Sequence, residues 1–261
     1  MIEQIPAPMR DEIERRLARI EADEGVRYLF AVESGSRAWG FPSPDSDYDV
    51  RFVYVRPRDW YLQLEPGRDV IERPIVDEID LNGWDLGKFL KLLLRSNAVT
   101  GEWMSSPIRY RQDDPVVSKM ADLAQSIFNP RRVAHHYANL GRTAAERWLE
   151  GDDPAPVKRY FYALRPALAI RSLRCDPSCP PPMNLQELVA ASDLPDLLVR
   201  IIEELVEAKR RTRERGNAKR YPELDALIAD ELARPDELPV RPADAGATDA
   251  ANALFLDLLN T

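Results

Sequence analysis

The sequence predicts an α+β protein in which a mixed sheet with flanking helices is followed by an all-helical bundle. Three observations predict it. Strand-like runs are confined to the part of the chain before residue 128, where they are interleaved with helical patterns. From Asn129 onward strand patterns nearly vanish, and apolar residues recur at helical spacing instead. At 261 residues, 44% hydrophobic and 31% charged, the chain has an ordinary globular composition and enough length to bury a substantial core. Two domains are expected, over residues 1–128 and 129–234, with 235–261 forming a linker and a C-terminal helix.

Taken in order, Ile13, Leu17 and Ile20 lie at helical spacing, so residues 11–23 read as an amphipathic helix that packs on the sheet. A strand follows Gly25, and residues 28–32 run into the turn Ser34-Gly35-Ser36. A second strand covers residues 47–55. The aromatic segment 57–67, with its Pro and charged residues, reads as a loop or short helix. Residues 70–81 are interrupted at Pro74 and resume as a strand with Ile79 and Leu81 on one face and Asp80 on the other. Asp85, just before Leu86, Phe89, Leu90, Leu93 and Leu94, is placed to cap an amphipathic helix. Helices are then predicted over 131–149, 157–174, 185–191, 194–215, 222–232 and 249–259, several opened by Pro, Asp or Asn. Residues 235–248, rich in Pro, Asp and Ala, read as an extended linker.

The chemistry is concentrated in residues 33–52, ESGSRAWGFPSPDSDYDVRF. A Gly-Ser turn stands ten residues ahead of two carboxylates spaced i, i+2. On a strand, Asp47 and Asp49 fall on one face while Tyr48, Val50 and Phe52 fall on the other. Two like charges held this close are costly unless something cationic sits between them, and an oxygen-only set suits a hard ion such as Mg²⁺. Gly35 lets the backbone approach a phosphate, and Ser36 supplies a hydroxyl for a phosphate oxygen.

Other features are less directive. Cys175 and Cys179 lack the further ligands a zinc site needs and read as free thiols in a Pro-rich loop. His135 and His136, adjacent on a predicted helix, point about 100° apart and do not grip one ion together. No apolar run approaches membrane-spanning length and the first residues do not resemble a signal peptide, so no membrane contact and a cytoplasmic location are expected. The net charge is −8, but residues 131–220 hold 17 Lys plus Arg against 12 Asp plus Glu, and the rest of the chain holds 19 against 32. The densest basic run, residues 209–220, reads as a phosphate contact or as a solvated helix end. Lys158, Tyr162 and Arg165 share a helix face, where cations meet phosphates and aromatic planes stack on bases.

The blocks GSRAWGFPSPDSDYDVRFVYV, LNGWDLGKFLKLLLRSN, EWMSSPIRY and KRYFYALRPALAIRSL, in that order, resemble the RNA-repair-pathway DNA polymerase β family, predicted nucleotidyltransferases often found beside RNA ligases. The likeness runs from roughly residue 26 to residue 173. It implies an N-terminal polymerase-β-like nucleotidyltransferase domain that moves an NMP unit from an NTP to an acceptor hydroxyl. Mg²⁺ or Mn²⁺ is the implied cofactor, an RNA end the implied acceptor, and an RNA ligase of the same pathway an implied partner. By the same likeness Asp47, Asp49 and a third carboxylate hold metal, and Gly35, Ser36 and Arg37 hold the phosphates. Asp80 has the matching strand parity for the third carboxylate. Asp85 competes, although helix capping explains it, and Asp77 and Glu78 are further candidates. Lys158 and Arg165 are candidate acceptor-binding residues. Tyr48, where the simplest family pattern has an aliphatic residue, is a good strand former. Two other readings use the same residues: transfer to a small molecule or protein, and a non-catalytic regulator that binds a nucleotide or a partner.

Overall fold

A computed structural model describes residues 5–65, 67–112, 114–146, 155–211, 217–218, 220–242 and 244–260. The order of elements is α1 (Ala7–Glu24), β1 (Arg27–Ser34), α2 (Gly35–Ala38), β2 (Tyr48–Val55), α3 (Arg58–Tyr61), β3 (Val70–Glu72), β4 (Ile79–Asp85), α4 (Leu86–Leu94), α5 (Ala98–Met104), β5 (Arg109–Gln112) and α6 (Asp114–Ile127). The chain continues through α7 (Pro130–Ala145), β6 (Ala155–Pro156), α8 (Val157–Cys175), α9 (Leu185–Ala190), α10 (Asp196–Arg211), β7 (Asn217–Ala218), α11 (Pro222–Leu232) and α12 (Ala247–Leu259). It is α+β, as the sequence predicts. Among the described residues no helix is long and apolar enough to cross a membrane.

The chain divides into two compact units. The first comprises Met1–Ala38, Asp47–Phe128 and Ala243–Thr261, and the second Trp39–Ser46 and Asn129–Pro242. The expected scheme of consecutive segments differs from this division in three places, the first being residues 235–242, which are counted with the helical unit and not with a linker. Helix α12 is counted with the sheet unit, where Ala251 and Leu258 join the core formed by Leu86, Phe89, Leu90 and Met120. Residues 39–46, which separate the Gly-Ser turn from Asp47, are counted with the helical unit.

In the sheet unit the strand order is β3-β4-β2-β1-β5, and only the β2–β4 pair is parallel. Helix α1 lays Ile13, Leu17 and Ile20 against one face, beside Ala31, Val50, Phe52 and Tyr54. Helices α4, α5, α6 and α12 cover Leu29, Val53 and Val55 on the other. Tyr48, Val50 and Phe52 thus lie in the α1 core, on the face the alternation assigns them, and the opposite face of β2 is left polar at its start. Helix α1 stops at Gly25, which adopts φ +60° and donates its N–H to the Glu21 carbonyl.

Asp85 caps α4: its Oδ1 accepts from the Gly87 N–H at 2.8 Å and its Oδ2 accepts from the Tyr61 hydroxyl at 2.6 Å. Burial pushes its carboxyl above the usual range. Asp85→Ala removes a buried cap and the acceptor of the Tyr61 hydroxyl, so it should cost about 1–3 kcal/mol in a urea unfolding experiment. An unchanged midpoint would show that the cap carries no weight.

The helical unit packs α7, α8 and α11 around Tyr137, Tyr160, Phe161, Leu164 and Ile228, all buried. Phe41 stacks on Phe161 with ring centroids 4.4 Å apart, and Trp39 meets Tyr162 edge-on. The Leu185 N–H donates to the Trp39 carbonyl and Gln186 Nε2 donates to that of Gly40. Gly40 has φ +87°, and a Cβ there would overlap Gln186 and Asn184. Cys175 and Cys179 are free and exposed, and His135 faces Asp236 at the surface.

Candidate active site

Parallel pairing of β2 with β4 sets the site. Register places Asp49 opposite Asp80 and Arg51 opposite Asn82. Both carboxylates turn toward one atom: Arg51 Nη2 lies 3.1 Å from Asp49 Oδ1 and 2.7 Å from Asp80 Oδ2. The other terminal nitrogen, Nη1, donates to the carbonyls of Val50 at 3.1 Å and Asp80 at 3.0 Å. The cation that such a pair demands is therefore supplied by the chain's own Arg51. Strand parity puts Arg51 on the face of Asp47 and Asp49, and that i+4 position was the signal available in the sequence.

The Gly-Ser turn closes on the same pair. Gly35 has φ +67°, and a Cβ built there would overlap Asp49 Oδ2. A side chain at residue 35 is thus excluded both by the left-handed backbone and by the carboxylate. Ser36 and Arg37 are buried. Arg37 Nε donates to the Asp47 carbonyl at 3.3 Å, and its guanidinium lies 4.0 Å above the Tyr48 ring. Arg37 so ties the turn to the start of β2, and Tyr48 provides the face on which it rests.

Beneath Asp49 lies a carboxyl group that sequence reasoning did not single out. Glu33, fully buried near the end of β1, accepts the Asp49 N–H on Oε1 at 2.8 Å, and the Tyr110 hydroxyl stands 2.6 Å from Oε2. The Ser106 hydroxyl donates to the Glu33 carbonyl at 2.6 Å. Burial pushes the Glu33 carboxyl up to about 8, while the Tyr110 hydroxyl and the Asp49 N–H oppose that shift. Strand β5, which carries Tyr110, pairs antiparallel with β1.

Of the four candidates for a third carboxylate, Asp80 is the one opposite Asp49. Asp85 sits at the far end of β4 in its capping role. Asp77 and Glu78 form a turn with φ of 54° and 62°, in which Asp77 pairs with Arg16 at 2.6 Å and the Glu78 carbonyl accepts the Tyr48 N–H. Among the described residues no three His, Cys, Asp or Glu side chains converge closely enough to hold a metal by themselves. The structure therefore brings Asp49 and Asp80 together without gathering Asp47 into a three-carboxylate group. The donor set nevertheless suits Mg²⁺, which binds through one or two carboxylates and completes its shell with water and substrate phosphates. Convergence of two carboxylates on a cationic nitrogen marks where positive charge belongs.

The expected acceptor residues are placed differently. Arg165 is buried, with Nε donating to the Met183 carbonyl at 3.0 Å and its guanidinium 4.5 Å above the Trp39 ring. Arg165, expected beside Lys158 as a candidate acceptor-binding residue, thus lies in the interior of the helical unit. Lys158 is half-buried, with Nζ 6.0 Å from the Tyr162 ring centre. In the basic run, Lys209 is buried with Nζ 4.7 Å from the Phe41 ring centre, so it belongs to the helical core and not to a phosphate-binding surface. Arg210 and Arg211 are exposed, and residues 212–216 and 219 lie outside the described residues.

A model of the RNA repair pathway DNA polymerase beta family matches residues 9–257, which extends the likeness well beyond the four sequence blocks. The uncharacterized protein YcgL of Bacillus subtilis (strain 168) is 40% identical over 256 residues, covering 97% of this chain and 96% of YcgL. The uncharacterized protein MJ0002 of Methanocaldococcus jannaschii is 32% identical over 73 residues, 27% of this chain and 30% of that protein. Among solved structures, a nucleotidyltransferase-like protein from Exiguobacterium sibiricum aligns over 95% of this chain and 80% of its own, with a TM-score of 0.33 and 11% identity. With the family pattern running almost from end to end, this chain belongs to the RNA repair pathway DNA polymerase beta family.

Proposed function

We propose that the protein is a metal-dependent nucleotidyltransferase that transfers an NMP unit from an NTP to the hydroxyl of an RNA end and releases pyrophosphate. The observation that carries this is the register match of Asp49 with Asp80 beside the Gly35 turn. Bound Mg²⁺ or Mn²⁺ would supply charge neutralisation of the triphosphate and a lower pKa for the acceptor hydroxyl. Asp49 and Asp80 would hold it, with water and the substrate phosphates completing its shell. The Gly35 backbone and the Ser36 hydroxyl would meet phosphate oxygens, and Arg37 would fix the turn through Asp47 and Tyr48. Positioning and charge stabilisation then carry the rate, because attacking and leaving oxygens are both anionic in an in-line displacement. Exposed Arg159, Arg210 and Arg211, with half-buried Lys158, are among the described cations of the helical unit that suit an RNA backbone. Membership of an RNA-repair family supports an RNA end as acceptor and an RNA ligase as pathway partner.

The test is transfer of label from α-phosphate-labelled NTPs to RNAs with defined ends, to proteins and to small alcohols, with and without Mg²⁺. Labelled RNA formed only with the metal is the expected result. Label on protein or alcohol alone would reassign the acceptor, and no label on anything would favour a nucleotide- or partner-binding regulator.

A further inference from the structure

We propose that Arg51 makes metal binding at Asp49 and Asp80 conditional on the nucleotide: its fixed guanidinium keeps a bare divalent ion out, and the anionic triphosphate offsets it. This rests on the nucleotidyltransferase reading above and specifies how that site is loaded.

Arg51 is held too firmly to behave as an ordinary surface partner. Its side chain is 18% exposed and makes four hydrogen bonds, two of them to the carbonyls of Val50 and Asp80. Those two carbonyls are backbone atoms of adjacent paired strands, so they anchor the guanidinium whatever the carboxylates do. Arginine stays charged at every relevant pH and its planar fork is rigid. A divalent ion approaching alone meets two carboxylates already sharing a positive charge, and it meets that charge itself at short range. An NTP brings several negative charges beside the same carboxylates, which restores the balance that Arg51 removes. Metal and triphosphate would then enter together, and the protein would hold little metal between turnovers.

The charge of Arg51 can be separated from its role as a clasp between β2 and β4. Mn²⁺ would be titrated into the full-length protein without nucleotide, with free Mn²⁺ followed by electron paramagnetic resonance, for wild type, Arg51→Gln, Arg51→Lys and Asp49→Asn. Arg51→Gln should bind Mn²⁺ about tenfold tighter or more, Arg51→Lys should stay within about threefold of wild type, and Asp49→Asn should lose the site. Arg51→Gln binding no tighter than wild type would overturn the inference and leave Arg51 as a clasp only. If that variant does not fold, wild-type melting decides: Mn²⁺ alone should leave Tm unchanged, whereas Mn²⁺ with mixed α,β-methylene NTPs should raise it. An equal rise with Mn²⁺ alone would overturn the inference. Absence of binding in every protein, with the NTP analogues present, would instead sink the metal-dependent reading, and the inference would fall with it.

Discussion

If the proposed mechanism holds, Asp49→Asn should lower nucleotidyl transfer by about 100-fold or more, and Asp80→Asn should do the same, because each removes a charge that would hold the cation neutralising the transition state. Neither should unfold the protein. The Asp49 N–H bond to Glu33 is a backbone interaction that the substitution leaves in place, and Arg51 keeps its two carbonyl partners and the remaining carboxylate. Relief of repulsion between two bare carboxylates would have raised stability in the metal-free protein. With Arg51 bridging the pair, that gain is absent, and the melt should show a change of about 0–1 kcal/mol in the destabilising direction. Label transfer and thermal melts on both variants check this. Wild-type turnover in Asp49→Asn would remove the carboxylate pair from the mechanism, and loss of folding would make it structural.

Stability of the metal-free protein should fall between about pH 5 and pH 8.5, and Glu33→Gln should abolish much of that fall. Glu33 binds its proton more tightly in the folded chain, where burial raises its pKa from 4.5 to about 8. Its contribution is complete below the unfolded value and is lost as pH climbs through the folded one, because a charged carboxylate must then stay buried. The size is on the order of 4 kcal/mol across the window. Glutamine keeps an acceptor for the Asp49 N–H and a polar group for Tyr110, so the variant should fold and show a flatter profile. Urea midpoints from pH 4.5 to 9 in EDTA would measure it. Parallel curves for the two proteins would show that Glu33 is not the group that loses its proton.

Local pattern carried much of this protein. Alternation along residues 47–55 separated the carboxylates from Tyr48, Val50 and Phe52, the spacing of Ile13, Leu17 and Ile20 marked α1, and Asp85 before an apolar helix marked a cap. These readings succeed because side-chain direction within one element follows from chain geometry alone. The polar sequence Arg109–Gln112 gave no comparable signal, since β5 is a strand by virtue of its pairing with β1 and not through any apolar alternation of its own. The family likeness was also legible, because four motifs in fixed order are a property of the sequence.

What only the tertiary structure decided is who faces whom across elements. Parallel register made Asp80 the partner of Asp49 and brought Arg51 onto both, a bridge that no single strand specifies. Packing buried Glu33 under Asp49, drew Lys209 and Arg165 off the surface to Phe41 and Trp39, and counted residues 39–46 with the helical unit. A charged residue reads as solvated in sequence because burial is costly. It becomes buried only where distant residues supply carbonyls and aromatic rings to offset that cost, and those partners are fixed by long-range packing.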